Sequence, residues 1–242
     1  PDLLRRAFTK LRSGRPGPVL LEIPQDIADG QINDKEVYAY LPPMQLKQSG
    51  DPSAIELAAQ ALLSASNLLL HAGQGVLYAE ATQELIEISE FLQCPVMTTL
   101  PGKSAFPHNH PLHIGTGSPS TTSAVHHYLP QSDTVFGIGC SFTKTNFSVP
   151  IKGKKTFIHT TNDEDAINRE FFTEFPILGD TKLVLQQLIA ELHRTSKPKP
   201  VNNNLQEHIQ KLHKQWLQSW EHKLTSSDKP LNPYRVIWDL MH

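Results

Sequence analysis

Short apolar runs alternate with longer amphipathic stretches from residue 51 to about residue 194. The apolar runs are continuous, as in strands buried on both faces of a sheet, and they predict strands at residues 67–71, 95–99, 134–139, 156–160 and 175–178. Apolar residues at helical spacing predict helices at residues 51–64, 78–92, 121–129, 164–169 and 180–192. Right-handed crossovers between parallel strands place helices on both faces, so this order predicts a doubly wound parallel sheet of the α/β class.

Helical and extended segments flank this α/β region on both sides. Residues 2–13 have apolar residues at helical spacing, and the apolar run at residues 18–24 predicts a short buried strand. Residues 25–50 and 195–204 lack periodicity and contain proline, so we interpret them as connections. The predicted parts are the end of an N-terminal domain at 1–30, a linker at 31–50, the α/β domain at 51–194, a linker at 195–204, and a helix with the start of another domain at 205–242.

Two features of the chain ends predict a fragment of a longer protein. The sequence begins at Pro1 rather than at methionine, and it ends at His242 within a helical pattern. The apolar residues Trp238 and Leu240 of that last helix have no later segment in this chain that could bury them.

Composition excludes several classes of protein. Of the 242 residues 38% are hydrophobic and 19% are charged, with a net charge of −2 and a mean hydropathy of −0.33. No apolar run approaches the ~18 residues of a membrane helix, and there is no concentrated basic face for nucleic acid. We interpret Lys152, Lys154 and Lys155 as a solvated turn. Cys94 and Cys140 lie far apart in apolar contexts, which favours buried thiols in the cytoplasm over a disulfide or a zinc site.

Gly73, Gln74 and Gly75 lie between the first predicted strand and the next helix of the α/β domain. Glycines at this turn allow a phosphate to approach the backbone and the helix N-terminus. The third glycine of a dinucleotide fingerprint would fall at Tyr78, so the motif alone is weak. Close backbone packing, or a positive φ, explains such glycines equally well.

Two further patterns resemble metal sites but are better explained structurally. His108, His110 and His113 fall within six loop residues, where they cannot easily converge on one ion, so we predict solvated or hydrogen-bonded histidines on a surface loop. Asp180 follows Gly179, but the next residue is Thr181 rather than glycine, and Asp180 is placed to cap a helix. We therefore predict no metal ligand and no catalytic residue in this chain.

Several ordered segments together resemble thiamine diphosphate enzymes of the acetolactate synthase and 2-oxo acid decarboxylase type. Residues 14–26 resemble the exit strand of their pyrimidine-binding domain, and residues 71–76 the first strand and turn of their central domain. Residues 94–103 are similar to the family's Pro-Val-x-Thr-Thr-x-x-Gly-Lys segment. The match continues at residues 107–112, 158–168 and 176–180, and residues 230–240 resemble the entry helix of the diphosphate-binding domain.

The resemblance implies a Rossmann-like central domain with the end of one neighbouring domain and the start of the other. In this family the cofactors thiamine diphosphate and magnesium are held by the two outer domains, so the chain alone is expected to bind neither and to be inactive. The parent enzyme would decarboxylate a 2-oxo acid and then ligate or release the product. Its partners would be the other domains of the same polypeptide in a homodimer or homotetramer, with no nucleic acid and no membrane. Which 2-oxo acid is used is not specified by these residues.

The central domain of such enzymes binds FAD in some members, ADP in others and nothing in many. Family nucleotide contacts would fall here on Gly73, Gln74, Gly75, Thr99, Leu100 and Asp163. The family's phosphate-pairing arginine is replaced by Ser141, and the first acid of its Asp-x-Asp by Thr161. We therefore expect no FAD, and either an ADP-like nucleotide or an empty site. The alternative is a stand-alone α/β domain that binds FAD, ADP or NAD.

Overall fold

The computed structural model describes residues 2–33, 35, 41, 44 and 46–241. Much of the linker predicted at 31–50 lies outside the described residues. The helices are α1 (Asp2–Arg12), α2 (Gln25–Ala28), α3 (Pro52–Ser64), α4 (Gln74–Tyr78), α5 (Thr82–Leu92), α6 (Ser123–Gln131), α7 (Thr181–Thr195), α8 (Asn203–Leu224) and α9 (Pro233–Met241), with a 3-10 turn at Glu164–Ala166. The strands are β1 (Leu68–Ala72), β2 (Val96–Thr98), β3 (His113–Thr116), β4 (Thr134–Ile138), β5 (Thr156–Thr161) and β6 (Phe175–Leu178).

The six strands form one parallel sheet in the order β3-β2-β1-β4-β5-β6. The chain starts in the middle at β1, builds outward to β3, and returns to β4 on the other side of β1. This confirms the predicted doubly wound α/β class. The direction of winding reverses between β1 and β4, and the crevice at the carboxyl ends of those two strands is where open α/β sheets bind ligands.

Successive residues of the strands are buried on opposite faces of the sheet, in two separate hydrophobic cores. Leu70 of β1, Phe136 of β4 and Ile158 of β5 face α3, α5 and α7. Leu69, Val135 and Phe157, one residue earlier on the same strands, face α6 and α8. Because both faces are covered, the central strands are buried at nearly every position, which is why their sequences are mostly continuous apolar runs rather than alternating ones.

Two helix starts follow the expected capping chemistry. The Asp51 side chain accepts a hydrogen bond from the Ala54 N–H at the start of α3, with Pro52 in the first turn. The Asp180 carboxylate accepts from the N–H groups of Lys182 and Leu183 at the start of α7, which confirms its predicted role as a cap. These caps fix α3 and α7, which pack against each other on one face of the sheet.

Several local predictions were wrong. The helix expected at 78–92 begins only at Thr82, and Tyr78 is instead the last residue of the short helix α4. Glu80, between the two helices, has a φ of +54° that a continuous helix cannot contain. The run at 18–24 forms no strand and is largely exposed, since no described strand lies beside it. Lys155 is not in a solvated turn: it is buried, and its Nζ donates to the carbonyl oxygens of Ser132 and Pro130.

The segment after α7 is held against the α/β region. The Lys199 N–H donates to the Phe91 carbonyl oxygen, and the Asn202 N–H donates to Oε1 of Gln93. The Asn202 side chain then caps α8. On α8 the buried Ile209 packs into the second core, so α8 covers the sheet face that α6 covers only in part. No described helix is both long and apolar enough to cross a membrane.

Candidate functional site

A cavity of about 750 Å³ opens at the carboxyl ends of the strands, over the β1–β4 crevice. Its wall combines the turn after β1, the turn after β2, the loop after β4 and the residues after β5. The segment after α1 closes one side with Gly14, Arg15 and Pro16. The size falls in the range of small-molecule sites, which runs from roughly 300 to 1,000 Å³.

The glycines of the first turn permit close contact between two backbones. A Cβ on Gly73 would lie 2.3 Å from the Gly139 carbonyl oxygen, and a Cβ on Gly75 would lie 2.7 Å from the Gly139 Cα. The N–H of Gly73 donates to the Ile138 carbonyl oxygen and that of Gly75 to the Gly139 carbonyl oxygen, each at 2.8 Å. These two donors are therefore used to join the β1 and β4 turns, and the packing explanation of the glycines is confirmed.

The turn after β2 is built by hydrogen bonds around Thr99. Its N–H donates to the Ala72 carbonyl oxygen at 2.8 Å, and its carbonyl and hydroxyl oxygens both accept from the Gly102 N–H. Leu100, the next residue, keeps 47% of its surface exposed and lies in the cavity wall. Thr99 thus holds the turn, and Leu100 offers an apolar surface to a ligand.

An aromatic layer closes the floor of the cavity below the loop after β4. Phe142 has a φ of +49° and lies over Gly137, where a Cβ would come within 2.2 Å of the phenyl ring. The ring is flanked by His71 of β1 and His159 of β5, with centroids 5.7 and 4.8 Å away. Because His71, Gly137 and His159 are paired across three adjacent strands, the three form one row beneath the ring.

Both histidines in this row are neutral at pH 7. Burial, and secondarily the neighbouring His159, lower the pKa of His71 to about 4. Burial also lowers the pKa of His159, whose Nε2 donates to the Cys140 carbonyl oxygen at 2.7 Å. Neither ring nitrogen of His71 has a hydrogen-bond partner in the described structure. The floor of the cavity is therefore uncharged and carries a buried imidazole that no described residue satisfies.

The charged groups of the cavity wall are paired. Arg15 Nη1 lies 2.9 Å from Asp163 Oδ2, and Lys144 Nζ lies 3.5 Å from Glu170 Oε2 and 4.7 Å from the centre of the Phe171 ring. Asp180, which caps α7, also lies 3.7 Å from Lys47 Nζ. The position of the absent arginine is taken by Ser141, whose hydroxyl oxygen accepts from Thr143 Oγ1 at 2.8 Å.

The structure brings most of the predicted contact residues to this one cavity. Five of them line it, namely Gln74, Gly75, Thr99, Leu100 and Asp163, whereas Gly73 lies beneath the wall against Gly139.

The sequence prediction missed three other residues of the cavity, Arg15, Lys144 and His71. Arg15 and Lys144 come from segments without regular structure, so no periodicity signalled them. His71 falls in an apolar run, where a lone histidine is the signal that could have found it.

The histidine-rich loop was assigned only partly correctly. His110 is hydrogen-bonded as expected, with Nε2 lying 3.3 Å from Glu90 Oε1. His113, however, belongs to β3, is buried, and has a pKa lowered to about 4, chiefly by burial. The sequence predicts a loop here because proline and histidine residues surround this short strand. No group of three His, Cys, Asp or Glu side chains within the described residues could hold a metal ion.

The two cysteines match the prediction of buried thiols. Cys94 and Cys140 are both buried and unpaired, and burial raises the pKa of each to about 12. Cys140 lies in the wall of the cavity. As a buried thiol with a raised pKa it is not suited to act there as a nucleophile.

Comparison with solved structures supports the fold. The crystal structure of benzoylformate decarboxylase from Polynucleobacter necessarius superposes with a TM-score of 0.67 at 22% sequence identity, covering 83% of this chain and 37% of that one.

Comparison with sequences gives the family. A probable acetolactate synthase large subunit of Methanocaldococcus jannaschii is 34% identical over 249 residues, covering 100% of this chain and 41% of that protein. Its counterpart from Methanococcus aeolicus is 31% identical over 259 residues, covering 100% and 42%. The chain therefore spans about two-fifths of the length of these relatives. Residues 55–188 match the family model for the central domain of thiamine pyrophosphate enzymes. The chain belongs to this family of thiamine pyrophosphate enzyme central domains.

Proposed function

We propose that the chain supplies the central domain of a thiamine diphosphate-dependent enzyme that decarboxylates a 2-oxo acid and then ligates or releases the product. One observation carries the proposal: the similarity to two acetolactate synthase large subunits runs through the whole chain, including the segments outside residues 55–188. An independent nucleotide-binding domain is not favoured, because such a domain would not need matching flanks. The other domains of the same polypeptide are the proposed partners, in a cytoplasmic homodimer or homotetramer.

The described residues of this chain do not form a site for thiamine diphosphate. A magnesium ion that holds a diphosphate needs a set of oxygen ligands, and no group of three candidate ligands occurs in the part of the chain described. Asp180, the best candidate by sequence, is committed to the α7 cap. Thiamine diphosphate and magnesium are therefore assigned to the outer domains of the proposed parent enzyme.

The test of the parent activity is turnover by the complete polypeptide encoded around this sequence. With thiamine diphosphate and magnesium, it is expected to release carbon dioxide from pyruvate, 2-oxobutyrate or benzoylformate above a protein-free blank. The 242-residue chain is the matched control and is expected to release none. Absence of turnover with every 2-oxo acid would contradict the proposal.

For the cavity itself we propose an ADP-like nucleotide. Its ribose would lie at Asp163, and its phosphates near Gln74 and Gly75, with Thr99 and Leu100 beside them. The cavity position at the switch point supports this placement. FAD is not expected, because Ser141 and Thr161 replace two charged anchors of the family's flavin site.

Isothermal titration with ADP and with FAD, together with an absorbance spectrum, tests this assignment. Saturable ADP binding by a colourless protein is expected. Stoichiometric bound flavin in the purified chain, or ADP binding unchanged by Asp163→Ala, would contradict it.

A further inference from the structure

The carboxylate proposed for the ribose already has a partner within the chain. Arg15 Nη1 lies 2.9 Å from Asp163 Oδ2. The two residues are 148 positions apart and line the same cavity. The Asp163 side chain is only 16% exposed, whereas that of Arg15 is 57% exposed. The carboxylate is thus fixed in the wall, and the arginine approaches it from the outside.

A second contact fixes the segment that carries Arg15. Asn162, next to Asp163, donates from Nδ2 to the Gly14 carbonyl oxygen at 2.9 Å. Gly14 has a φ of +62°, in the left-handed region, and this turn directs the chain from α1 toward the cavity. A Cβ at Gly14 would lie 3.6 Å from the Asn162 carbonyl oxygen, so the two segments are in contact.

We propose that Arg15 is an internal competitor for the ribose site: the segment at residues 13–18 acts as a latch that occupies Asp163 until a nucleotide displaces it. The inference rests on the nucleotide site proposed above and adds its regulation. A ribose diol hydrogen-bonds to a carboxylate at such a position. To do so here, its neutral hydroxyl groups must displace an arginine whose hydrogen bond to the carboxylate is also an ion pair, so the carboxylate loses a positively charged partner. The latch therefore lowers affinity for any ligand that offers only a ribose.

Competition also links the cavity to the preceding helix. When the ribose takes Asp163, Arg15 is released, and of the two described hydrogen bonds that join residues 13–18 to the end of β5 only the one from Asn162 to Gly14 remains. Occupancy of the cavity would thus loosen the connection to α1. In the proposed parent enzyme, that connection leads from the first domain to the central one.

Adenosine is the sharpest probe, because it has the ribose but no phosphate that could interact with Arg15. Arg15→Ala is expected to bind adenosine up to about five-fold more tightly than the unmodified chain, since partly exposed ion pairs contribute up to about 1 kcal/mol. Arg15→Lys, which keeps the charge, is expected to stay near the unmodified affinity. Asp163→Asn should remove the gain when combined with Arg15→Ala. Glu164→Gln, in the same turn but not paired with Arg15, is the matched control.

Hydrogen exchange of residues 13–20 gives a readout that does not depend on any ligand. Exchange is expected to be faster in Arg15→Ala and in Asp163→Asn than in the unmodified chain or in Glu164→Gln. Unchanged exchange in both variants would overturn the latch.

The two proposals can fail separately. If ADP binds the unmodified chain but Arg15→Ala leaves the adenosine affinity unchanged, the competition is wrong and the nucleotide site stands. If neither ADP nor adenosine binds any variant, the nucleotide site is wrong and the competition falls with it.

Discussion

At the scale of single residues, the glycines at the cavity serve packing before they serve any ligand. Gly73 and Gly75 bring the turn after β1 against Gly139, and their N–H groups are used in that contact. Gly137 leaves room for the Phe142 ring in the same way. The sequence motif therefore located the right turn, but Gly139, the partner of both Gly73 and Gly75, lies more than 60 positions away, which no local pattern reveals.

Gly75→Ala is expected to lower the free energy of unfolding by about 1–3 kcal/mol, the usual effect of overpacking. The added Cβ would lie 2.7 Å from a backbone atom of Gly139, so one of the two turns has to shift. Urea denaturation followed by circular dichroism measures the change. Gly17→Ala is the control, because a Cβ there meets no atom within 4 Å. Equal stability of the two variants would contradict the packing role.

The buried histidines make stability depend on pH. The pKa of His71 is lowered from 6.5 to about 4, so the folded chain binds fewer protons there than the unfolded chain. Stability is complete above pH 6.5 and is lost as pH falls from 6.5 toward 4, by up to about 3 kcal/mol for this residue. His113, with a pKa also lowered to about 4, acts in the same direction.

His71→Leu is therefore expected to flatten the decline of unfolding free energy between pH 7 and pH 4. Urea titrations at pH 7, 6, 5 and 4 measure how the unfolding free energy declines with pH. His126→Leu, at an exposed position, is the control and is expected to show the same decline as the unmodified chain. The same slope in both variants would show that His71 titrates normally.

At the scale of elements, the apolar pattern was sufficient for the long amphipathic helices and for strands whose sequence is a continuous apolar run. The strand at Phe175–Leu178 was predicted with its observed bounds, and α3, α7 and α8 were predicted to within a few residues. The errors fall on short or interrupted elements. β3 has four residues and is stabilised by pairing with β2, and the break between α4 and α5 depends on the backbone of Glu80. Both are decided by neighbours rather than by local propensity.

Helix α8 is the element whose place the sequence did not specify. Its Ile209 is 1% exposed within the second core, and the Nε2 of its His213 donates to the His113 carbonyl oxygen at 2.9 Å. The sequence prediction assigned residues 205–242 to a different part from residues 51–194, and that division stays a prediction.

Ile209→Ala is expected to destabilise the α/β region by about 2–5 kcal/mol, because it leaves a cavity beneath α6 and β3. Leu217→Ala, on the same helix at a side chain 42% exposed, should change stability by less than about 1 kcal/mol. The urea midpoint of the main transition is the measurement. If Ile209→Ala leaves it unchanged, α8 folds separately from the sheet.

At the scale of the whole molecule, the chain presents a central sheet with a ligand-sized cavity but no metal site in its described residues. We expect no saturable binding of thiamine diphosphate in millimolar magnesium by isothermal titration, and no release of carbon dioxide from pyruvate. The complete polypeptide is the positive control. Micromolar binding by the 242-residue chain would show that the cofactor assignment to the outer domains is wrong.

The sequence by itself determined the fold class, five of the six strands and the family resemblance. Continuous apolar runs and capped amphipathic helices are local patterns, so they can be recognised in the sequence without knowledge of the fold. Five of the six proposed contact residues also reach the cavity wall, because the carboxyl ends of parallel strands meet at one edge.

Only the tertiary structure decided how the site is closed and charged. The Arg15–Asp163 ion pair joins residues 148 positions apart, and the His71–Phe142–His159 layer joins two strands and a loop. The burial of Lys155 against the Ser132 carbonyl oxygen is another such contact. Each depends on distances between segments that the chain's local pattern does not encode, because a hydrogen bond or a lowered pKa is set by what folding brings near a group rather than by its neighbours in sequence.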